Sequence, residues 1–124
     1  MIKLAIIGLG KWGQELVKSV NSKSKIVKFT SVISRNPEKI IKETRQLNVV
    51  AFKTFEEMLS EKKIDGFVLC TPHSSHEKQI KNLIKYKKAI FVEKPLALNS
   101  SSAKKIITIC KKNKILLAVG QNRR

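Results

Sequence analysis

The feature that most constrains the fold of this 124-residue chain is a regular alternation between two hydrophobic periodicities. Short runs rich in β-branched residues alternate with longer segments of helical spacing, which predicts six strands and five connections. The predicted strands are Lys3 to Ile7, Ile26 to Ile33, Val49 to Phe52, Gly66 to Cys70, Ala89 to Val92 and Ile115 to Val119. Their consecutive apolar positions suit strands covered on both faces. The pattern therefore predicts an α/β fold with a doubly wound, six-stranded parallel sheet in three layers.

The connections carry helix-start signals. Asn36-Pro37-Glu38 reads as an N-cap followed by a proline at the first helical position, and Thr54 followed by Glu57 reads as a capping box. Apolar faces predict further helices from Ser74 or Ser75 to Tyr86 and from Ser100 to Lys112. Because no linker, repeat or low-complexity tract interrupts the pattern, residues 1–124 are expected to form one domain.

The composition favours a soluble protein in a reducing, cytoplasmic setting. The N-terminus does not resemble a signal peptide, and no segment has the roughly 20 apolar residues of a membrane span. Cys70 and Cys110 have neither metal-like spacing nor a disulfide framework around them.

The charge is strongly positive, with 26 Lys and Arg against 9 Asp and Glu and a formal net charge of +17. Such a balance invites a nucleic-acid interpretation. However, almost all of it is lysine spread over every predicted helix, and arginine, which reads base edges, occurs only at positions 35, 45, 123 and 124. Solvated helix faces explain the charge better than a specific nucleic-acid partner.

The turn after the first strand reads GLGKWG, residues 8 to 13, and opens a helix. In the G-x-G-x-x-G spacing, the first glycine allows a tight turn, the second lets the backbone approach a pyrophosphate, and the third lets the helix pack on the strand. A glycine-rich turn that binds nothing is the alternative. The context predicts dinucleotide binding, with the following candidate residues: Gly8, Gly10, Lys11, Trp12 and Gly13.

Cofactor choice is expected to depend on the end of the second strand. NAD sites usually place a carboxylate on the adenosine ribose about 20 residues past the fingerprint, but this chain has none between Glu15 and Glu38. Ser34, Arg35 and Lys39 stand there instead, and they can bind a 2′-phosphate. NADP is therefore favoured over NAD. Dual specificity, and an Arg35 that is only a solvated loop residue, remain open.

The fourth strand leads into CTPHSSH, residues 70 to 76, at the carboxyl edge where ligands of open α/β sheets bind. Thr71-Pro72 stops the strand, and Ser74 or Ser75 can cap the next helix. His73 and His76 are three residues apart, but no third metal ligand is near, so no metal is expected. Both histidines are assigned to helix-start hydrogen bonding or to cofactor contact. Candidate cofactor contacts here are Cys70, Thr71, Pro72, His73 and His76.

The order GLGKWG, IDGFVLCTPHSSH, AIFVEKPLAL and LLAVGQNRR resembles the N-terminal domain of the glucose-fructose oxidoreductase and inositol dehydrogenase (Gfo/Idh/MocA) family, over essentially the whole chain. The resemblance implies a Rossmann domain with strand order 3-2-1-4-5-6. It also implies that Lys94 is the E-K-P lysine near the nicotinamide and substrate, where it orients or polarises the reacting oxygen, and that Glu93 contacts the nicotinamide-side ribose.

Other positions follow from the same resemblance. Thr71 and Pro72 match the turn under the nicotinamide-side ribose, and His76 matches the histidine that opens the following helix. Gln121, and with it Asn122, matches the segment that touches the nicotinamide end. His73 departs from the family, where asparagine is more usual, so the resemblance gives no role for this residue. Ser34-Arg35 resembles the NADP-using members.

The resemblance also implies a second, α+β domain that supplies the substrate pocket and the acid-base residues, and this domain is not expected among residues 1–124. The leading interpretation is the NADP-binding domain of an oxidoreductase acting on a sugar-like alcohol or carbonyl, inactive alone. The alternatives are a stand-alone NADP-binding sensor or docking module, and a basic nucleic-acid-associated protein. Because the carboxyl edge and the sixth strand would be uncovered, the lone domain is also expected to form homodimers or to be marginally stable.

Overall fold

The computed structural model describes residues 1–120 and contains one six-stranded sheet. All strand pairs are parallel, and the strand order is β3-β2-β1-β4-β5-β6. The strands are β1 (Ile2–Ile7), β2 (Val27–Ile33), β3 (Val50–Phe52), β4 (Gly66–Leu69), β5 (Ala89–Glu93) and β6 (Leu117–Gly120). The predicted α/β class, sheet type and strand order are confirmed.

Five α-helices connect the strands in the described part of the chain. They are α1 (Lys11–Lys23), α2 (Ile41–Leu47), α3 (Phe55–Glu61), α4 (His76–Leu83) and α5 (Ser100–Lys112). Short 3₁₀ turns precede α2 at Pro37–Ile40, precede α4 at His73–Ser75 and follow α4 at Ile84–Tyr86. The helix predicted from Ser74 or Ser75 to Tyr86 is therefore shorter, with a tightened turn at each end.

The helix caps agree only in part with the prediction. Thr54 Oγ1 accepts a hydrogen bond from the Glu57 N–H at 3.2 Å, as a capping residue does. Neither Asn36 nor Ser75 caps a helix with its side chain. Ser75 already has helical angles (φ −93°, ψ −12°) because the chain enters α4 through a 3₁₀ turn, whereas an N-cap residue needs extended angles. Asn36 does occupy the N-cap position before Pro37, as predicted, but no side-chain cap hydrogen bond forms there or at Ser75, and Ser74 lies inside the 3₁₀ turn.

The core lies on both faces of the sheet, which makes the three layers predicted from the sequence. On one face, α3, α4 and α5 pack against alternate strand residues. Buried side chains of this face include Ile7, Met58, Phe67, Leu69, Ile80, Leu83, Ile90, Val92 and Ile106. On the other face, α1 and α2 cover the β1 and β2 side. Its buried side chains are Ile6, Val17, Phe29, Val32, Val49 and Val68. Within residues 1–120, no helix is long and apolar enough to cross a membrane.

The sheet topology fixes where a ligand can bind. Strand β1 pairs with β2 on one side and with β4 on the other, so successive strands are added in one direction up to β3 and in the opposite direction from β4 onward, although all strands stay parallel. Open α/β sheets bind ligands in the crevice at the carboxyl ends of the strands at such a switch point. The loops after Ile7 and Leu69 meet there.

Candidate functional site

The turn between β1 and α1 is shaped by close backbone contacts. Gly8 has φ +97°, a conformation that side chains rarely adopt. A Cβ on Gly8 would lie 2.7 Å from the Cys70 carbonyl oxygen and 2.9 Å from Thr71 Cγ2. A Cβ on Gly13 would overlap the carbonyl oxygen of Gly8. These two glycines therefore let α1, the turn and the end of β4 pack against one another.

Gly10 has the opposite environment. Its φ of −78° is open to any residue, and no atom lies within 4 Å of the position that a Cβ would take. It precedes α1 without a side-chain cap, and the first turn of α1 contains no acidic residue. Free N–H groups at a helix start, facing open space, fit the pyrophosphate of a dinucleotide. Lys11 and Trp12 lie on this first turn and are exposed.

A cleft of about 510 Å³ lies beside this turn; we call it the main cleft. It brings together five residues that the sequence assigned to the cofactor: Gly8, Ser34, Arg35, Thr71 and Pro72. The sequence had not assigned the other lining residues to the cofactor; they are Ile7, Leu9, Ile33, Ile40, Lys53, Phe55, Ser75, Gln79, Asn82 and Leu83. None of these lining residues is an Asp or Glu. The cleft is apolar at its base and positive on one side, which fits a nucleotide.

The positive side of the main cleft is made by the ends of β2 and β3. The Ser34 N–H donates to the Phe52 carbonyl oxygen at 3.0 Å, which continues the β2–β3 ladder by one residue. Arg35 and Lys53 follow these two residues and are exposed. Lys39, the third candidate from this part of the sequence, lies on the 3₁₀ turn and does not line the cleft.

His76 connects the two loops at this edge of the sheet. Its side chain is 1% exposed, with Nε2 3.0 Å from the Thr71 carbonyl oxygen. Nδ1 lies 3.0 Å from the carbonyl oxygen of Pro95 and 3.2 Å from that of Leu96. A singly protonated imidazole donates on one side only, whereas the doubly protonated ring donates on both. His76 begins α4 as expected, but the structure gives it a positioning role behind the site.

Thr71 has a second contact on the cleft side. Its hydroxyl donates to Gln79 Oε1 at 2.5 Å, which joins the β4 loop to α4. Gln79 and Asn82 were missed because a polar residue on a helix looks like a solvated position in the sequence. Their spacing of three residues, on the side of α4 that faces the glycine turn, was the available signal.

The second group of candidates lies at the end of β5; we call Glu93 and Lys94 the β5 edge. Glu93 pairs with Gly120 of β6, and a Cβ on Gly120 would lie 3.3 Å from Glu93 Oε1. Lys94 is exposed and precedes Pro95 through a cis peptide bond. Gln121, predicted to approach the same region, lies outside the described residues.

Two predicted residues lie beside these regions. Cys70 is half-buried at the end of β4, and burial together with the nearby charge of Glu93 raises the pKa of its thiol to about 12. His73 is exposed and lines a smaller cavity of about 250 Å³ with Leu98 and Ser102. Among residues 1–120, no group of three His, Cys, Asp or Glu side chains could hold a metal ion.

The family model described as "Oxidoreductase family, NAD-binding Rossmann fold" matches residues 2–121. Myo-inositol 2-dehydrogenase from Thermotoga maritima is 29% identical, with 99% of this chain and 37% of the relative covered. 2,7-Anhydro-N-acetylneuraminate hydratase from Escherichia coli K12 is 28% identical, with 97% of this chain and 32% of the relative covered.

The structural comparison agrees on the fold. The crystal structure of scyllo-inositol dehydrogenase from Lactobacillus casei with bound NAD(H) and scyllo-inositol superposes with a TM-score of 0.83 at 24% identity. The match covers 97% of this chain and 36% of that one. The chain thus spans about a third of the length of the proteins it matches. With the family model matched over residues 2–121, the chain belongs to the Gfo/Idh/MocA oxidoreductase family and carries its NAD-binding Rossmann fold.

Proposed function

We propose that this chain is the NADP(H)-binding domain of an oxidoreductase that transfers hydride between the nicotinamide and a sugar-like alcohol or carbonyl. The observation that carries the proposal is the main cleft, which joins the glycine turn to Ser34 and Arg35 without a carboxylate among its lining residues. A carboxylate would hydrogen-bond the two ribose hydroxyls of NAD and repel the 2′-phosphate of NADP. A hydroxyl and a guanidinium instead bind phosphate oxygens.

The two ends of the cofactor would have different environments. The adenosine end would occupy the main cleft, and the pyrophosphate would lie over Gly10 and the start of α1. The nicotinamide end would then extend toward Glu93 and Lys94. The bound cofactor supplies the hydride chemistry at the nicotinamide ring.

Lys94 is the proposed catalytic residue. Its ammonium would donate to the oxygen of the reacting alcohol or carbonyl and stabilise negative charge that develops there. Glu93 would accept hydrogen bonds from the nicotinamide-side ribose. A general acid-base residue is also needed for the proton, and we propose that it comes from a part of the protein beyond this chain. A sugar-like substrate is supported by relatives whose names include inositol dehydrogenases.

The decisive experiment is a titration of the 124-residue chain with NADPH and with NADH at low ionic strength, followed by Trp12 fluorescence. We expect NADPH to bind at least about tenfold more tightly, because charge-assisted hydrogen bonds contribute about 1.5 kcal/mol or more. Ser34→Asp should reverse the preference. Equal affinity for both cofactors would disprove the NADP assignment, and no binding of either would disprove the cofactor-binding function itself.

A second measurement tests whether the chain binds the cofactor without catalysing the reaction. The chain alone should bind NADPH yet reduce none of a panel of inositols, aldoses and keto sugars. Measurable NADPH oxidation that depends on one of these substrates would show that the acid-base residue is present within these 124 residues.

A further inference from the structure

Lys53 is the one basic residue among the lining residues of the main cleft that the sequence had not assigned to the cofactor. It follows β3 directly, whereas cofactor preference was expected to depend on the end of β2. The register Ile33↔Phe52 and the 3.0 Å hydrogen bond from the Ser34 N–H to the Phe52 carbonyl place the two strand ends side by side. Lys53 therefore lines the same cleft as Ser34 and Arg35.

The Ser34 hydroxyl can donate a hydrogen bond to a ligand in the main cleft. Its Oγ accepts a hydrogen bond from the Asn36 N–H at 3.3 Å, which uses an oxygen lone pair and leaves the hydroxyl hydrogen for another acceptor. Arg35 supplies further N–H donors and Lys53 an ammonium. Both are exposed at the cleft, and neither forms a salt bridge with a carboxylate among the described residues.

We infer that Lys53 is a specificity-determining residue that, together with Ser34 and Arg35, binds the phosphomonoester on the adenosine ribose of the cofactor. The inference rests on the proposed function and refines it. A phosphomonoester carries a charge of about −1.5 to −2 near pH 7 and offers three acceptor oxygens, one for each of the three donors. A ribose with free hydroxyls offers no comparable charge, so Lys53 acts on NADP and very little on NAD.

Position, not charge alone, separates Lys53 from the other basic residues of the chain. Lys39 is closer in sequence to the β2 motif, but it lies on the 3₁₀ turn outside the lining of the cleft. Lys25 has the same charge as Lys53 but stands just before β2, at the amino edge of the sheet and opposite the cleft. It is exposed and serves as the matched control.

The test isolates the adenosine end with two small ligands, adenosine 2′,5′-bisphosphate and adenosine 5′-monophosphate. Affinities are measured by calorimetry at low ionic strength for the wild-type chain, Lys53→Gln, Lys53→Arg and Lys25→Gln. We expect Lys53→Gln to weaken the bisphosphate about tenfold and the monophosphate less than about twofold. Lys53→Arg should retain most of the preference, and Lys25→Gln should change neither ligand by more than about twofold. NADPH and NADH should follow the same pattern.

The outcomes distinguish a failure of the role of Lys53 from a failure of the proposed function. If the wild-type chain prefers the bisphosphate and Lys53→Gln keeps that preference, the role of Lys53 is disproved while the proposed function stands. An equal loss for both ligands in Lys53→Gln, or the same loss in Lys25→Gln, would show a general electrostatic effect and would also overturn the inference. Failure of the wild-type chain to bind either dinucleotide would overturn the proposed function and the inference with it.

Discussion

The main cleft and the β5 edge both lie at the carboxyl ends of the strands, yet they are built differently. The turn beside the cleft is fixed by backbone packing, because Gly8 and Gly13 leave no room for a Cβ between the turn, α1 and the end of β4. Side chains make the β5 edge, where Glu93 is half-buried and Lys94 is exposed. Its loop is held from behind by the buried ring of His76.

The difference indicates which half of the site this domain forms by itself. A turn held by backbone contacts has its shape as soon as the sheet folds, since moving it would separate α1 from β1 and β4. An exposed lysine on a loop has many rotamers and is ordered only by a ligand or by further protein. The shape of the main cleft is therefore set within this chain, whereas the geometry of the β5 edge depends on what binds against it.

The largest loss of stability should come from Gly8→Ala, which adds a methyl group to the tightly packed turn beside the cleft. The substitution strains a residue at φ +97° and places a Cβ 2.7 Å from the Cys70 carbonyl oxygen, which is backbone and cannot move aside. We expect a loss of about 3 kcal/mol in the free energy of unfolding, from left-handed strain and overpacking together. Urea denaturation followed by circular dichroism measures it. A loss below about 1 kcal/mol would contradict the close packing.

The second largest loss of stability should come from a substitution of His76, which supports the loop of the β5 edge. His76→Phe keeps an aromatic ring but removes the ring N–H that can donate to the carbonyl of Thr71 or of Pro95. Leaving a buried carbonyl unpaired costs about 1 to 3 kcal/mol, so we expect the free energy of unfolding to fall by about 2 kcal/mol. His73→Ala is the control, since His73 is exposed and its loss should change stability by less than about 0.5 kcal/mol. Equal effects of the two substitutions would contradict the bridging role of His76.

Gly10→Ala should separate binding from folding. Nothing lies within 4 Å of the new Cβ and the φ of −78° is unstrained, so stability should stay within about 0.5 kcal/mol of the wild type. The methyl group would instead occupy the space in front of the start of α1. We expect NADPH affinity to fall about tenfold or more, because the pyrophosphate can no longer approach the backbone. Unchanged affinity, measured by Trp12 fluorescence and checked by calorimetry, would place the pyrophosphate elsewhere.

The smallest effect on stability should come from titration of the Cys70 thiol, which follows β4 between the two regions and keeps its proton near neutral pH. Burial raises the pKa of its thiol from 9.0 to about 12, so the folded chain keeps the proton that the unfolded chain loses. Its contribution to stability is therefore fully present below about pH 9 and is lost as the pH rises toward 12. At pH 8 we expect iodoacetamide to alkylate Cys70 far more slowly in the folded chain than in urea, as measured by peptide mass spectrometry. Similar rates in both states would contradict the burial.

The fold could be predicted nearly in full because it depends on local signals. The alternation of apolar runs and helical segments identified the six strands, and GLGKWG located the first turn. The errors were at helix starts, where Asn36 and Ser75 have the chemistry of caps but follow a different backbone path. A 3₁₀ entry to a helix depends on how the preceding loop packs, and side-chain preferences do not record it.

The site was predictable where its residues belong to a motif. Gly8, Ser34, Arg35, Thr71 and Pro72 come together in the main cleft as strand ends of a switch point must. The assignment of each to a bound cofactor, and of Lys94 to catalysis, stays a prediction. Gln79, Asn82 and Lys53 were missed because each is an ordinary polar residue until the fold places it at the cleft.

By itself, the sequence determined the number of strands and their places along the chain, the glycine turn and the absence of a carboxylate between Glu15 and Glu38. These follow from local periodicity and from residue types at fixed spacing. Only the tertiary structure decided that Lys53 stands beside Ser34 while Lys39 does not, and that His76 holds two loops rather than facing the cleft. Such proximities depend on the register of neighbouring strands and on the path of the loops between them, and these are set by packing of the whole sheet.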